Sequence, residues 1–315
     1  MSISLNRRHT VQQVKDGSTR SSMRHVSLKG TVSVGMGLSG VERSMSLRRR
    51  SIYEMVAQKL LHDSLQTVED GGGNVGTNAD YDDPISITDD VRLKWKHFVD
   101  DKNHQIDINE IIVKGIPKNM RSSCWNRLSN WHLELEKFDE IPDVSRYNYR
   151  KMSQESNESK DCQIVRDIEQ DIHRTFPNLS FFQNETGRKK LFNLLKVYAM
   201  VDQEVGYCQG IAFVAGVLLM HSTTGEFEAF QHLLKLMYGY GLRLIYLPGM
   251  DRLQMFIYQT TRLLDTNKPN VLEHLIVNNV MPDFFASSWL LTLFASHFPI
   301  DFTVRIFGNL IVQFF

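Results

Sequence analysis

From about Val91 onward, apolar residues recur every three or four positions, a spacing that suits helices and little else. Ile164, Val165, Ile168 and Ile172 stripe one segment, which stops near Pro177. With Ile168 at zero on a helical wheel, the other three fall within roughly 60°. Leu191, Leu194, Leu195, Tyr198 and Val201 stripe the next segment. Gly206 follows a turn, and the apolar run from Ile211 to Met220 reads as a buried helix. Phe227–Tyr238, Asp251–Leu264, Val271–Val277 and Ser288–Phe298 continue the pattern. Alternation of β-branched residues is scarce, so the expected fold class is all-α, in a chain of 315 residues with ample apolar material for a core.

Ahead of that region the composition changes. Residues 1–60 carry 11 Lys/Arg against 3 Asp/Glu, and residues 61–90 carry 8 Asp/Glu and no Lys/Arg. A basic Ser/Arg-rich tail, mostly disordered, is expected over 1–60, with one short amphipathic patch from Ile52 to Leu65. An acidic Gly/Asp-rich linker is expected over 61–93, and the helical domain over 94–315. Across the whole chain Lys+Arg and Asp+Glu are both 36, so no global field points to a nucleic-acid partner. Cys124, Cys162 and Cys208 lie far apart with no histidine at ligand spacing, which argues against a disulfide framework or a zinc site and suits a reduced cytoplasmic setting. No apolar stretch follows Met1, so no secretory signal is expected. The run Ile211–Met220 is too short to cross a bilayer, so no transmembrane segment is expected either.

Two short strings carry chemistry. Ile168–Arg174 reads IxxDxxR and Tyr207–Gln209 reads YxQ. Together they offer one guanidinium and one carboxamide, the groups that spread charge off a transferring phosphoryl and orient an attacking water in GTP hydrolysis. Arg174 lies off the apolar stripe near the helix end, where its charge suits the negative end of the dipole. Asp171, three residues earlier, is placed to pair with it or aim it. Gln209 is expected to open the buried helix directly after the turn at Val205–Tyr207, its amide offered as donor and acceptor. Each string alone also fits a plainer reading: a surface Asp–Arg pair, or a glutamine that caps a neighbouring helix. Cys208 suggests a thiol nucleophile, but no His–Asn/Asp arrangement nearby supports one. A third string, Lys114 to Trp125, places Gly115 and Pro117 at a chain break before a helix that carries Arg121 and Trp125 one turn apart.

In order and spacing, GIPxxxRxxxW, IxxDxxRTFP and DQEVGYCQGxxFVAGxLL resemble the TBC domain of Rab GTPase-activating proteins, most closely the insulin-responsive Akt-substrate subgroup. The resemblance runs from about Trp95 to Phe315. It implies a two-lobed helical fold in which Arg174 and Gln209 act as catalytic fingers, supported by Asp171 and Tyr207, with Gly115, Pro117, Arg121 and Trp125 as a structural motif. It further implies a Rab GTPase in its GTP-bound state as partner, a role in vesicle trafficking, and a place in the cytoplasm or peripherally on endomembranes. No cofactor of its own is expected, because GTP and Mg²⁺ come with the Rab. On this view the chain is an activator acting in trans and not an enzyme. Lys114 replaces the family's usual arginine. Arg305-Ile306-Phe307-Gly308 lacks the acidic residue that commonly follows such a string. The closing helices of the second lobe are expected to be missing, leaving Phe302, Ile306 and Leu310 without partner faces. The alternative is a non-catalytic Rab-binding scaffold.

The basic tail repeats one further pattern. Thr10, Ser27, Ser46 and Ser51 each follow an arginine by three positions and precede an apolar residue. They resemble sites of basophilic kinases, and phospho-motif readers would then be partners. A disordered tail rich in arginine and serine also produces such matches by chance.

Overall fold

The computed structural model describes residues 87–100, 107–136, 140–155 and 162–312. The expected tail, most of the linker, and Thr10, Ser27, Ser46 and Ser51 lie outside them. Among the described residues every regular element is helical. Helix α1 (Asp89–Asp100) begins slightly ahead of the boundary placed at 94. It is followed by α2 (Ile108–Ile112), α3 (Arg121–Glu136), α4 (Arg146–Gln154), α5 (Cys162–Arg174), α6 (Ser180–Gln183), α7 (Glu185–Val201), α8 (Ile211–His221) and α9 (Glu226–Leu234). A π-helical turn (Lys235–Gly239) and a 3₁₀ segment (Leu242–Ile245) lead to α10 (Asp251–Asn267), α11 (Pro269–Val277), α12 (Asp283–Leu291) and α13 (Ile300–Val312).

Helix α8 is apolar on every side and accordingly central. Ile211, Ala212, Val214, Ala215 and Val217 are all fully buried. Helices α3, α5, α7 and α9 pack against it. The stripe read from the sequence on α5 faces this core, with Ile168 and Ile172 buried and Ile164 and Val165 half-buried. On α7 Leu191, Leu194, Leu195 and Tyr198 are fully buried. Helices α10 to α12 form a smaller lobe that continues from the 3₁₀ segment, and Leu253, Phe256, Ile257, Ala286 and Leu290 join it to the same core.

Two expectations are corrected. The helix placed over Ser288–Phe298 ends at Leu291, because Leu293 and Phe294 adopt φ of 46° and 68°. Both side chains are thereby buried, a tertiary demand that helical spacing cannot express. Secondly, Ile306 and Leu310 do not lack partners. Helix α13 packs on α2 and α3, leaving Ile306 only 6% and Leu310 only 5% exposed, while Phe302 is half-buried and stacks on Phe298. The Arg305 guanidinium donates to the Val113 carbonyl at 3.0 Å, and the Tyr240 hydroxyl donates to the Ile311 carbonyl at 3.2 Å.

Candidate functional site

Arg174 is the last residue of α5. The helix stops because the Thr175 hydroxyl donates back to the Asp171 carbonyl at 2.7 Å and Phe176 turns to φ 49°. A bulky residue there is strained. The Phe176 ring is held in place, stacked on Phe182 and edge-on to Phe213 of α8. It sits against Gly216, where a Cβ would lie 2.9 Å from the ring, so only glycine leaves it room. The end of α5 is thus pinned to the central helix immediately beyond Arg174.

Asp171 organises the site. It is buried, and its Oδ1 accepts from Arg174 Nε at 2.8 Å and Nη2 at 2.7 Å. Its Oδ2 accepts the Tyr207 hydroxyl at 2.5 Å. Burial, and then the bond to Asp171, push the Tyr207 phenol well above its ordinary value, so it stays a donor. About half of the Arg174 side chain remains in solvent. Gln209 is exposed beside it. With its amide oxygen turned to the arginine, the orientation that satisfies both groups, Gln209 accepts from Arg174 Nη1 at 3.0 Å and from Nη2. The two side chains named from separate strings therefore meet on one exposed patch.

The apolar run predicts Gln209 at the start of the buried helix. Instead it lies in a turn, and α8 begins at Ile211. Gly210 forces the difference. Its φ of 110° diverts the chain, and a Cβ there would lie 2.8 Å from the Leu291 carbonyl oxygen. That carbonyl also accepts the Tyr246 hydroxyl at 2.6 Å. At the other end of the turn Asp202 takes Arg243 in a two-pronged pair, Nε to Oδ2 at 2.8 Å and Nη2 to Oδ1 at 3.0 Å. Burial works to raise the Asp202 carboxyl, but Arg243, the Tyr198 hydroxyl and the Val205 N–H outweigh it and hold the group below the ordinary range. No pattern in the sequence marks Asp202, Arg243 or Tyr246 as functional. Asp202 and Arg243 lie 41 residues apart, and no local spacing reveals such a pair.

Cys208 is half-buried, and its thiol is pushed up by burial and then by the Asp171 charge. A protonated thiol is a poor nucleophile, and the cysteine reading gains nothing. Gly115, Pro117, Arg121 and Trp125 belong to the opposite side of the core. The Gly115 carbonyl accepts the Trp95 indole N–H at 2.9 Å, Pro117 precedes the 3₁₀ turn into α3, and Arg121 Nε donates to the Ile116 carbonyl at 3.2 Å. Trp125 packs edge-on to His221 and beside Phe307. His221 ends α8 whereas Gln209 precedes it, so a helix of about 16 Å separates this motif from the finger patch. Among the described residues no cluster suited to a metal occurs, and no helix is long and apolar enough to cross a membrane.

The family model for the Rab-GTPase-TBC domain matches residues 118–314. TBC1 domain family member 4 of Mus musculus is 40% identical over 212 residues, which cover 66% of this chain and 16% of that protein. Rab GTPase-activating protein tbc-11 of Caenorhabditis elegans is 34% identical over 213 residues, covering 66% of this chain and 22% of that protein. The chain thus spans about a fifth of the length of these relatives. The crystal structure of the Chlamydomonas flagellar RabGAP TBC domain superposes with a TM-score of 0.57 at 23% identity, over 71% of this chain and 73% of that one, and shows the same fold. These matches overturn the expectation that a chain of this kind is not an enzyme. A relative named as a GTPase-activating protein accelerates a reaction, and acceleration without being consumed is catalysis, whichever partner holds the nucleotide.

Proposed function

The chain belongs to the Rab-GTPase-TBC domain family, and from that premise we propose that it accelerates GTP hydrolysis on a Rab GTPase, with Arg174 and Gln209 supplied in trans. The observation that carries this reading is the meeting of one guanidinium and one carboxamide on an exposed patch, both aimed from buried supports. A non-catalytic scaffold has no need for such an arrangement.

On this reading the substrate is the Rab with its bound GTP and Mg²⁺. Water attacks the γ-phosphorus in line, the bond to the β-phosphate oxygen breaks, and GDP leaves with the electron pair. Little covalent work falls to the protein, and charge stabilisation and aim dominate. Arg174 exchanges its bond to Gln209 for the β/γ oxygens, while Asp171 keeps the planar fork oriented. Gln209, released from Arg174, holds the attacking water through its carboxamide and takes the place of the Rab's own glutamine. The setting that follows is vesicle trafficking, with the protein cytoplasmic or peripheral on endomembranes. Basophilic kinases acting on Thr10, Ser27, Ser46 and Ser51 would regulate it, with phospho-motif readers as further partners.

The test is a panel of purified Rabs loaded with GTP, with phosphate release as readout. Acceleration of at least one Rab by the 315-residue chain, lost in Arg174→Ala, is the expected result. No acceleration of any Rab, or full acceleration by Arg174→Ala, would overturn the reading.

A further inference from the structure

We infer that Arg243 and Tyr246, set on one 3₁₀ turn, are positioning residues that clamp both ends of the turn carrying Gln209. The catalytic consequence rests on the function proposed above; the clamp itself rests on geometry alone.

At the upstream end the Asp202 side chain is almost wholly buried, at 1% exposure, and locked to Arg243 by the two-pronged pair. The same carboxylate accepts the Tyr198 hydroxyl at 2.9 Å and the Val205 N–H at 3.3 Å, while the Asp202 carbonyl accepts the Gly206 N–H at 2.7 Å. The Arg243 guanidinium also pairs with Glu204 and lies over the Tyr238 ring, 5.3 Å from its centroid. At the downstream end Gly210 rests on the Leu291 carbonyl, which Tyr246 holds by its hydroxyl. Arg243 and Tyr246 are one 3₁₀ turn apart and therefore on one face, and the Tyr246 N–H donates to the Arg243 carbonyl at 3.0 Å. Between the two anchors the Tyr207–Asp171 bond fixes the middle.

A nine-residue turn without such anchors would sample many conformers, and each fixed residue costs about 1–2 kcal/mol of conformational entropy. The clamp meets that cost on folding, so Gln209 arrives at a Rab already aimed. A displacement of about 1 Å at a catalytic group can cost about 10²-fold in rate. Loosening the turn therefore acts on kcat and leaves the Rab-binding surface in place.

The experiment uses the full chain with Arg243→Lys, which keeps the charge and loses the fork, and Tyr246→Phe, which loses only the hydroxyl. Hydrogen exchange on the free protein reads the clamp directly. Faster exchange is expected at the Val205 and Gly206 amides, with α7 unchanged. In Rab-stimulated hydrolysis, kcat should fall roughly 10–100-fold with KM within about twofold. In a Gln209→Ala background the same substitutions should cost nothing further, which a merely structural role would not produce. Unchanged exchange and kcat would overturn the inference, and so would a loss that persists in full without Gln209. Should the wild-type chain accelerate no Rab, the proposed function falls, and the exchange measurement still decides the clamp.

Discussion

Asp171 commits one oxygen to Arg174 and the other to Tyr207, so a single carboxylate joins two strings of sequence 36 residues apart. Arg174→Ala should lose roughly 10³–10⁵ in stimulated rate, a scale borrowed from Ras and its activator and equal to about 4–7 kcal/mol, with Rab binding largely kept. Arg174→Lys should fail almost as badly, because an ammonium cannot hold Asp171 and a phosphate oxygen with one planar fork. Single-turnover hydrolysis beside a Rab-binding titration separates the two effects. The grouping of Arg174, Asp171 and Gln209 was legible because each sits in a short string whose residue types suit one kind of site. The Tyr207 hydroxyl bond and the Asp202–Arg243 pair were not legible as contacts, since they exist only after distant helices pack.

At the scale of elements, helix α8 both buries the core and seats the Phe176 ring that ends α5. Gly216→Ala puts a methyl into that ring. Overpacking of this kind costs about 1–3 kcal/mol, and better helix propensity returns up to about 1 kcal/mol. A net loss of about 1–2 kcal/mol in denaturant melts is expected, with a reduced stimulated rate because Arg174 is only two residues from Phe176. Unchanged stability and rate would show that the ring moves freely. The stripe on α5 could be read because that helix buries a single apolar face, and α7, although several helices pack on it, still turns Leu191, Leu194, Leu195 and Tyr198 inward. The break after Leu291 could not be read. An uninterrupted apolar string looks helical whether the chain continues or folds back, and only the burial of Leu293 and Phe294 decides between them.

For the molecule as a whole, buried titrating groups set the acid limit. Burial lowers His232 to about 4, and burial with the Arg121 and Lys118 charges lowers His221 to about 3. Both are neutral in the folded state, whereas the unfolded chain takes up protons below about 6.5. Their contribution is complete above that pH and is lost progressively as pH falls towards the folded values, by about 1 kcal/mol per histidine near pH 5.5. Glu228 runs in a lower window. Burial opposes its ionisation, but Ser122, the Thr224 N–H and Ser222 hold it at about 2, so its contribution is present above its ordinary value and fades below it. Denaturant midpoints at pH 7.5 and 5.5 should differ, and His232→Phe should remove roughly half of the difference, the His221 share remaining. A flat profile for the wild type would refute this account.

The packing of α13 on α2 and α3 joins Arg305 to Val113 across 192 residues. During synthesis at roughly 5–20 residues per second, α2 and α3 therefore wait about 10–40 s for the helix that covers them. Throughout that interval Ile112 and Trp125 lack part of their native cover and are open to chaperones and proteases. Ribosome-bound chains arrested before α13 emerges should be cleaved readily within residues 108–136, and chains arrested well after it should resist.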